Sequence, residues 1–223
     1  MKIDPAARPF TAAVAAPALV AALARRPRAA AGLGLLTAAV TLFFRDPDRA
    51  PDRAPVDDPD VVLAPADGVV VHAGPAEPGL GPAGEWQQVS IFLSLLDVHV
   101  NRMPYGGRVV SVSHRPGHFL AAYRAASGMR NERTEIVVER PTPDGPRRVV
   151  VRQIVGQLAR RIVTRTAPGD EVATGARIGL MKFGSRMDVF LPAEVVLAVV
   201  PRTRAVGGET VLGRFGPPAG ARR

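Results

Sequence analysis

Beyond residue 60 this chain has to be built mostly from strands. From Val61 onward it runs in short β-branched stretches broken by Gly and Pro, and a helical period is sustained in only one place. Val61–Leu63, Gly68–His72, Gln88–Leu93, Arg108–Val112, Thr134–Glu139, Arg147–Ile154 and Gln157–Val163 each read as a strand. Ala167–Ile178 reads as a tight turn between two more, with Gly169, Asp170 and Gly175 as turn residues. The one helical spacing is His118–Met129, with Phe119, Ala122, Tyr123 and Ala126 on one face. Strands this short and this evenly spaced predict a mainly β, α+β body: an antiparallel sandwich or barrel with one helix.

The amino-terminal residues follow a different rule. Phe10–Ala24 and Ala29–Phe44 are two uncharged runs of fifteen and sixteen residues, joined through Arg25, Arg26 and Arg28. Each is shorter than the ~20 residues that span a hydrocarbon layer, so the expectation is a shallow hairpin or two interfacial helices at a membrane. Two readings compete. One is a signal peptide cleaved near Ala29-Ala30-Ala31; the other is a pair of Ala-rich core helices. RDPDRAPDRAPVDDPD then reads as a linker, giving an apolar helical segment at 1–49, a Pro/Asp/Arg linker at 50–60 and a body at 61–223.

Composition removes whole classes of chemistry. With no cysteine there is no disulfide, thiolate metal site or thiol nucleophile, so a nucleophile must be an oxygen or an amine. The net charge of +9 rests almost wholly on arginine, since only Lys2 and Lys182 are lysines. Such a balance suits an anionic partner, but one Trp and two Tyr give no stacking platform for nucleic acid. The four histidines, His72, His99, His114 and His118, show no convincing zinc-ligand spacing.

Three places could carry chemistry. In LMKFGSRMDVFLP a serine hydroxyl, Ser185, follows Gly184 inside an apolar strand-like run. Glycine tolerates unusual backbone and leaves its own carbonyl open to the next side chain, although most Gly-Ser pairs are plain turns. In SLLDVHVNRMP, Asp97 and His99 stand at i and i+2 after an apolar run, and fall on one face if the strand continues. Asp67 opens a strand in an Asp-Gly turn, and Asn131-Glu132-Arg133 either caps the helix or lines a pocket.

Taken together, FFRDPDR, PADGVV, FLSLLDVHVNRMP, PGHFLAA, NER and KFGSRMDVFLP occur in the order found in phosphatidylserine decarboxylase proenzymes. The chain resembles the short, prokaryotic form of that family from about Pro9 to Val200. The resemblance implies self-cleavage between Gly184 and Ser185 into a large subunit, 1–184, and a small one, 185–223. Ser185 would become a covalent pyruvoyl group, the cofactor of the mature enzyme, with no pyridoxal phosphate and no metal. It further implies His99 as general base, oriented by Asp67, and then as proton donor during Schiff-base decarboxylation of phosphatidylserine to phosphatidylethanolamine and CO2. The implied partners are the lipid substrate, an anionic membrane surface and the two fragments as a heterodimer, with further oligomerisation open and no nucleic acid. The implied location is peripheral, on the cytoplasmic face of the cell membrane. Two positions depart from the long forms. Arg102 stands where they carry a second histidine, which leaves either His99 to serve both steps or His118 as a substitute base, and Arg186 stands where threonine follows the serine.

Two other readings are carried. GDEVATGARIGLMKFGS resembles the hairpin of biotinyl or lipoyl carrier domains, with Lys182 as the modified lysine. A non-catalytic, basic, membrane-associated adaptor is the other.

Overall fold

The computed structural model describes residues 2–49, 56–124, 126–143, 145–157, 161–182 and 184–216. A two-stranded ladder, β1 (Lys2–Ile3) with β2 (Arg45–Asp46), closes the base of a helical hairpin. The hairpin is α1 (Arg8–Leu23) and α2 (Pro27–Phe43), packed on each other. With the short turn before α1, Pro5–Leu23 is long and apolar enough to cross a membrane. No residue of α1 is buried and only Phe43 of α2 is, so these are not core helices.

The body follows in order: β3 (Val61–Leu63), β4 (Gly68–Pro75), β5 (Trp86–Leu93), β6 (Val100–Arg102), β7 (Gly107–Arg115) and the single turn α3 (Ser127–Arg130). Next come β8 (Arg133–Arg140), β9 (Arg147–Val155), β10 (Ile162–Thr164), β11 (Glu171–Val172), β12 (Arg177–Met181) and β13 (Ser185–Pro192). The chain closes with β14 (Val195–Leu197), β15 (Arg204–Ala205) and β16 (Val211–Phe215). Eight of these form one antiparallel sheet, ordered β11-β7-β8-β9-β13-β5-β4-β15 and curled into a half-barrel. Two three-stranded sheets, β10-β12-β6 and β14-β16-β3, complete the body.

Alternation places β13 at the centre. Between β9 and β5, its residues Ser185 to Leu191 are all buried. Met187, Val189 and Leu191 enter the main core with Val89, Ile91, Val149 and Val151. Each such side chain contributes about 1.5–3 kcal/mol when fully buried. Period two then puts Ser185 on that same face. Arg186, Asp188 and Phe190 take the other face, where Arg186 Nε donates to Asp188 at 2.6 Å and Phe190 packs with Leu80 and Val150.

Three local expectations change. The helix expected over His118–Met129 is reduced to α3, because Asn131 takes the backbone of Leu120 from both sides. Leu120 N–H donates to Asn131 Oδ1 (2.9 Å) and Asn131 Nδ2 donates to Leu120 C=O (2.8 Å), so neither group is left for a helical ladder. The strand expected over Gln157–Val163 is seen at β10, with residues 158–160 outside the described ones. The turn in Ala167–Ile178 does join two strands, but β11 pairs with β7 while β12 pairs with β6 and β10, in a different sheet.

Candidate active site

Gly184 sits in the left-handed region, φ +72°, where a side chain would strain the backbone. It ends the approach to β13, so the next residue enters the sheet directly: Ser185 is paired with Leu93 of β5 and Val155 of β9. The Ser185 hydroxyl is fully buried and has no hydrogen-bond partner among the described residues. A buried hydroxyl left unpaired costs roughly 1–3 kcal/mol. That cost falls in a strand whose residues Ser185 to Leu191 are all buried.

His99 stands against this bond. Gly184 N–H donates to its Nε2 at 3.3 Å, and its Nδ1 lies 2.9 Å from the backbone carbonyl of Asp97. A carbonyl only accepts and an amide N–H only donates. The two contacts therefore select the neutral tautomer with the proton on Nδ1 and a lone pair on Nε2, facing the Gly184–Ser185 segment. Burial is the largest influence on this ring and pushes its pKa from 6.5 to about 4, against the pull of the Asp97 carbonyl.

The hairpin covers one side of the ring. The ring of Phe43, the last residue of α2, lies 4.3 Å from the imidazole, centroid to centroid. Phe43 and Phe44 pack with Val98, Val100 and Leu180 into a cluster that joins α2 to the residues on either side of His99. Phe43→Ala should open the ring to water and raise the His99 pKa from about 4 towards 6.5. An NMR titration of the imidazole in the uncut chain reads this directly, and an unchanged pKa would mean that Phe43 is not the cover.

The carboxylates do not stand beside the histidine. Asp67, expected to orient it, accepts both Arg49 (2.8 Å to each oxygen) and the backbone N–H of Gly207 (2.8 Å), and reaches His99 only as a distant charge. Asp97 does not share a strand face with His99. The strand stops at Leu93, and the Asp97 carboxylate caps the following turn by accepting from Ser94 N–H and Oγ, each at 2.7 Å, and also from Arg204. What positions His99 is the backbone of Asp97.

Other positions singled out in the sequence are engaged elsewhere. The Arg102 guanidinium donates to the carbonyls of Gly175 (3.1 Å) and Pro47 (3.0 Å) and pairs with Asp46, tying the end of the hairpin to the body. His118 is exposed and is held through its backbone to Arg130 and Glu132. Arg186 projects to the face opposite Ser185. Lys182 is half-buried with its ammonium 4.6 Å from the Phe10 ring centroid, which is not the exposed hairpin tip a carrier lysine needs. Among the described residues no three of His, Asp and Glu gather in a way that could hold a metal ion.

Two apolar cavities adjoin the site. One, about 410 Å³, is lined by Phe92, Leu95, Leu96, Ala122, Tyr123 and Gly184 among others. The other, about 570 Å³, lies between Leu95–Leu96 and the end of α2 at Ala39, Val40, Leu42 and Phe43. The exposed Leu95 and Leu96 line both.

Sequence reasoning passed over Gly156 and Phe43. Gly156 follows the strand partner of Ser185, and a side chain on it would collide with the Gly184 carbonyl oxygen. A glycine directly after an unbroken β-branched strand was the available signal; which backbone it lies against was not.

The model of the phosphatidylserine decarboxylase family matches residues 36–213. Relatives named phosphatidylserine decarboxylase proenzyme, from Mycobacterium sp. (strain JLS), Saccharopolyspora erythraea and Mycobacterium tuberculosis, are each 44% identical to this chain. The alignments cover 94% of this chain and 87 to 88% of the relatives.

Proposed function

Because the chain belongs to the phosphatidylserine decarboxylase family and is a carboxy-lyase, we propose that it cuts itself between Gly184 and Ser185 and makes its own pyruvoyl cofactor from Ser185. The observation that carries this is the buried, unpartnered Ser185 hydroxyl, directly after a strained glycine whose amide meets a neutral histidine. Ser185 Oγ attacks the Gly184 carbonyl carbon as His99 Nε2 takes the hydroxyl proton. The C–O bond forms, the C–N bond breaks, and the freed nitrogen takes up a proton, leaving an ester. Loss of the Ser185 α-proton expels the Gly184 carboxylate, and hydrolysis of the dehydroalanine releases ammonia. The net change is hydrolytic and needs no oxidant.

The ketone so formed supplies an electrophile for the substrate amine and a sink for the electrons left as CO2 departs. This chain's residues do the rest. His99 takes the proton that the substrate's ammonium group loses before it condenses, and returns it to the former α-carbon. The two apolar cavities suit the acyl chains of phosphatidylserine. Asp67 acts across the cut, since Arg49 lies before it and Gly207 after it. With β13 paired to β5 and β9, and Arg204 to Asp97, the fragments 1–184 and 185–223 stay together as a heterodimer.

The hairpin explains how a soluble body reaches a lipid. Leu19, Val20, Leu23, Leu35, Leu36 and Leu42 are exposed along it. At ~1.5 Å per residue α2 is ~26 Å long, short of the ~30 Å hydrocarbon layer, and of the two arms only Pro5–Leu23 has the length to cross it. Arg25, Arg26 and Arg28 at the tip would each cost ~2.5–3.5 kcal/mol at the bilayer centre. The hairpin therefore lies in the interface, with its arginines at anionic headgroups of the cytoplasmic leaflet and the site beside the bilayer.

Intact mass of the purified protein tests the reading. The expected result is two species, one of them beginning at residue 185 and reactive to a hydrazide, together with CO2 release from phosphatidylserine in mixed micelles. A single uncut, inactive chain with Ser185 in place would overturn it.

A further inference from the structure

The Asn131-Glu132-Arg133 triplet has no part in the chemistry above, yet Asn131 is fully buried and its side chain makes three hydrogen bonds. Two of them hold Leu120. The third runs from Nδ2 to the carbonyl of Val155 at 2.8 Å, while the Val155 N–H donates to Glu132 C=O at 3.1 Å. Both backbone groups of Val155 are thus pinned by two consecutive residues. Val155 is the strand partner of Ser185.

The next residue is Gly156. A Cβ built on it would lie 3.0 Å from the Gly184 carbonyl carbon, closer still to the oxygen, and 3.2 Å from the Ala122 side chain. The Gly184 carbonyl therefore rests on the bare Cα of Gly156, in a space that no side chain can share. Ala122 stands behind it on the segment that Asn131 anchors through Leu120. The carbonyl under attack thus has a fixed backing, and the backing is fixed by Asn131.

We propose that Asn131 and Gly156 are positioning residues for self-cleavage: Gly156 sets where the Gly184 carbonyl lies relative to Ser185 Oγ, and Asn131 sets where Gly156 lies. This rests on the self-cleavage reading. It assigns to the NER segment a role in maturation that touches neither substrate nor cofactor. A displacement of about 1 Å at a reacting centre can cost on the order of a hundredfold in rate. An added methyl group forces a shift of that size on the carbonyl or on β9.

The test follows conversion of newly made full-length chain to the 185–223 fragment over time for wild type, Gly156→Ala and Asn131→Asp, with Ser185→Ala as the uncut reference for melting temperature. Aspartate keeps the acceptor for Leu120 N–H and removes both Nδ2 donations. Gly156→Ala is expected to cleave at least tenfold more slowly than wild type, and Asn131→Asp severalfold more slowly. Lowering the temperature, which rescues a merely loosened fold, is expected to restore neither. Hydroxylamine, which splits a preformed ester, is expected to release no fragment from either uncut variant, because the defect lies in forming that ester. Wild-type rates in both variants overturn the proposal, and so does prompt release by hydroxylamine. If Gly156→Ala does not fold, Asn131→Asp decides by the same measurements. A wild-type chain that never cleaves would instead overturn the reading beneath.

Discussion

Ser185→Ala leaves the chain in one piece. No fragment beginning at residue 185 appears by intact mass, no carbonyl-reactive terminus forms, and decarboxylation falls to background, because no other hydroxyl occupies the position after Gly184. The fold should not suffer. The hydroxyl removed is buried and unpartnered, so its loss relieves roughly 1–3 kcal/mol of desolvation cost and leaves the strand pairing intact. The expected chain is uncut, inactive and at least as stable to urea as wild-type precursor. Loss of activity with normal cleavage would remove Ser185 from the cut. Loss of activity through unfolding would show that the hydroxyl holds the fold together rather than waiting to react.

His99→Ala should slow self-cleavage by 10²–10⁴-fold, the range a positioned base contributes. Normal cleavage in this variant would remove His99 as the base. The wild-type pH profile carries the same information. With its pKa near 4, His99 remains neutral well below pH 6.5, so the cleavage rate should hold level from pH 8 to about 5 and fall only on approach to 4. A base with an ordinary pKa would lose its rate around 6.5. Stability follows the same ring. The unfolded chain takes up a proton near 6.5 and the folded chain only near 4, so stability is fully present above 6.5, falls as pH drops from there to about 4, and levels off below. The difference corresponds to about 3 kcal/mol. Urea midpoints of the Ser185→Ala chain across this window, compared with the same chain also carrying His99→Phe, read it out.

Much of the fold is legible in the residues alone. The short β-branched runs at Val61–Leu63, Gly68–His72 and Gln88–Leu93 are a local property of sequence, and strands form over them. The two uncharged runs form the two helices for the same reason. The helix expected over His118–Met129 failed because a side chain eleven residues away, Asn131, competes for the backbone of Leu120, and periodicity carries no sign of that competitor. Asp67 and Asp97 were legible as polar residues needing an explanation. Their partners, Arg49, Gly207 and Arg204, lie 18, 140 and 107 positions away, and nothing local in the sequence links them.

By itself, then, the sequence determined which bond can be attacked, because a hydroxyl beside a glycine carbonyl is a matter of covalent order. It also excluded thiol chemistry, since there is no cysteine. Only the tertiary structure decided what stands against that bond. It brings His99 to Gly184 across 85 positions, selects its tautomer with two backbone groups, and seals it under Phe43 so that it stays neutral. Basicity and access are set by burial and neighbours, and those exist only once the sheets have closed and the hairpin has docked on them.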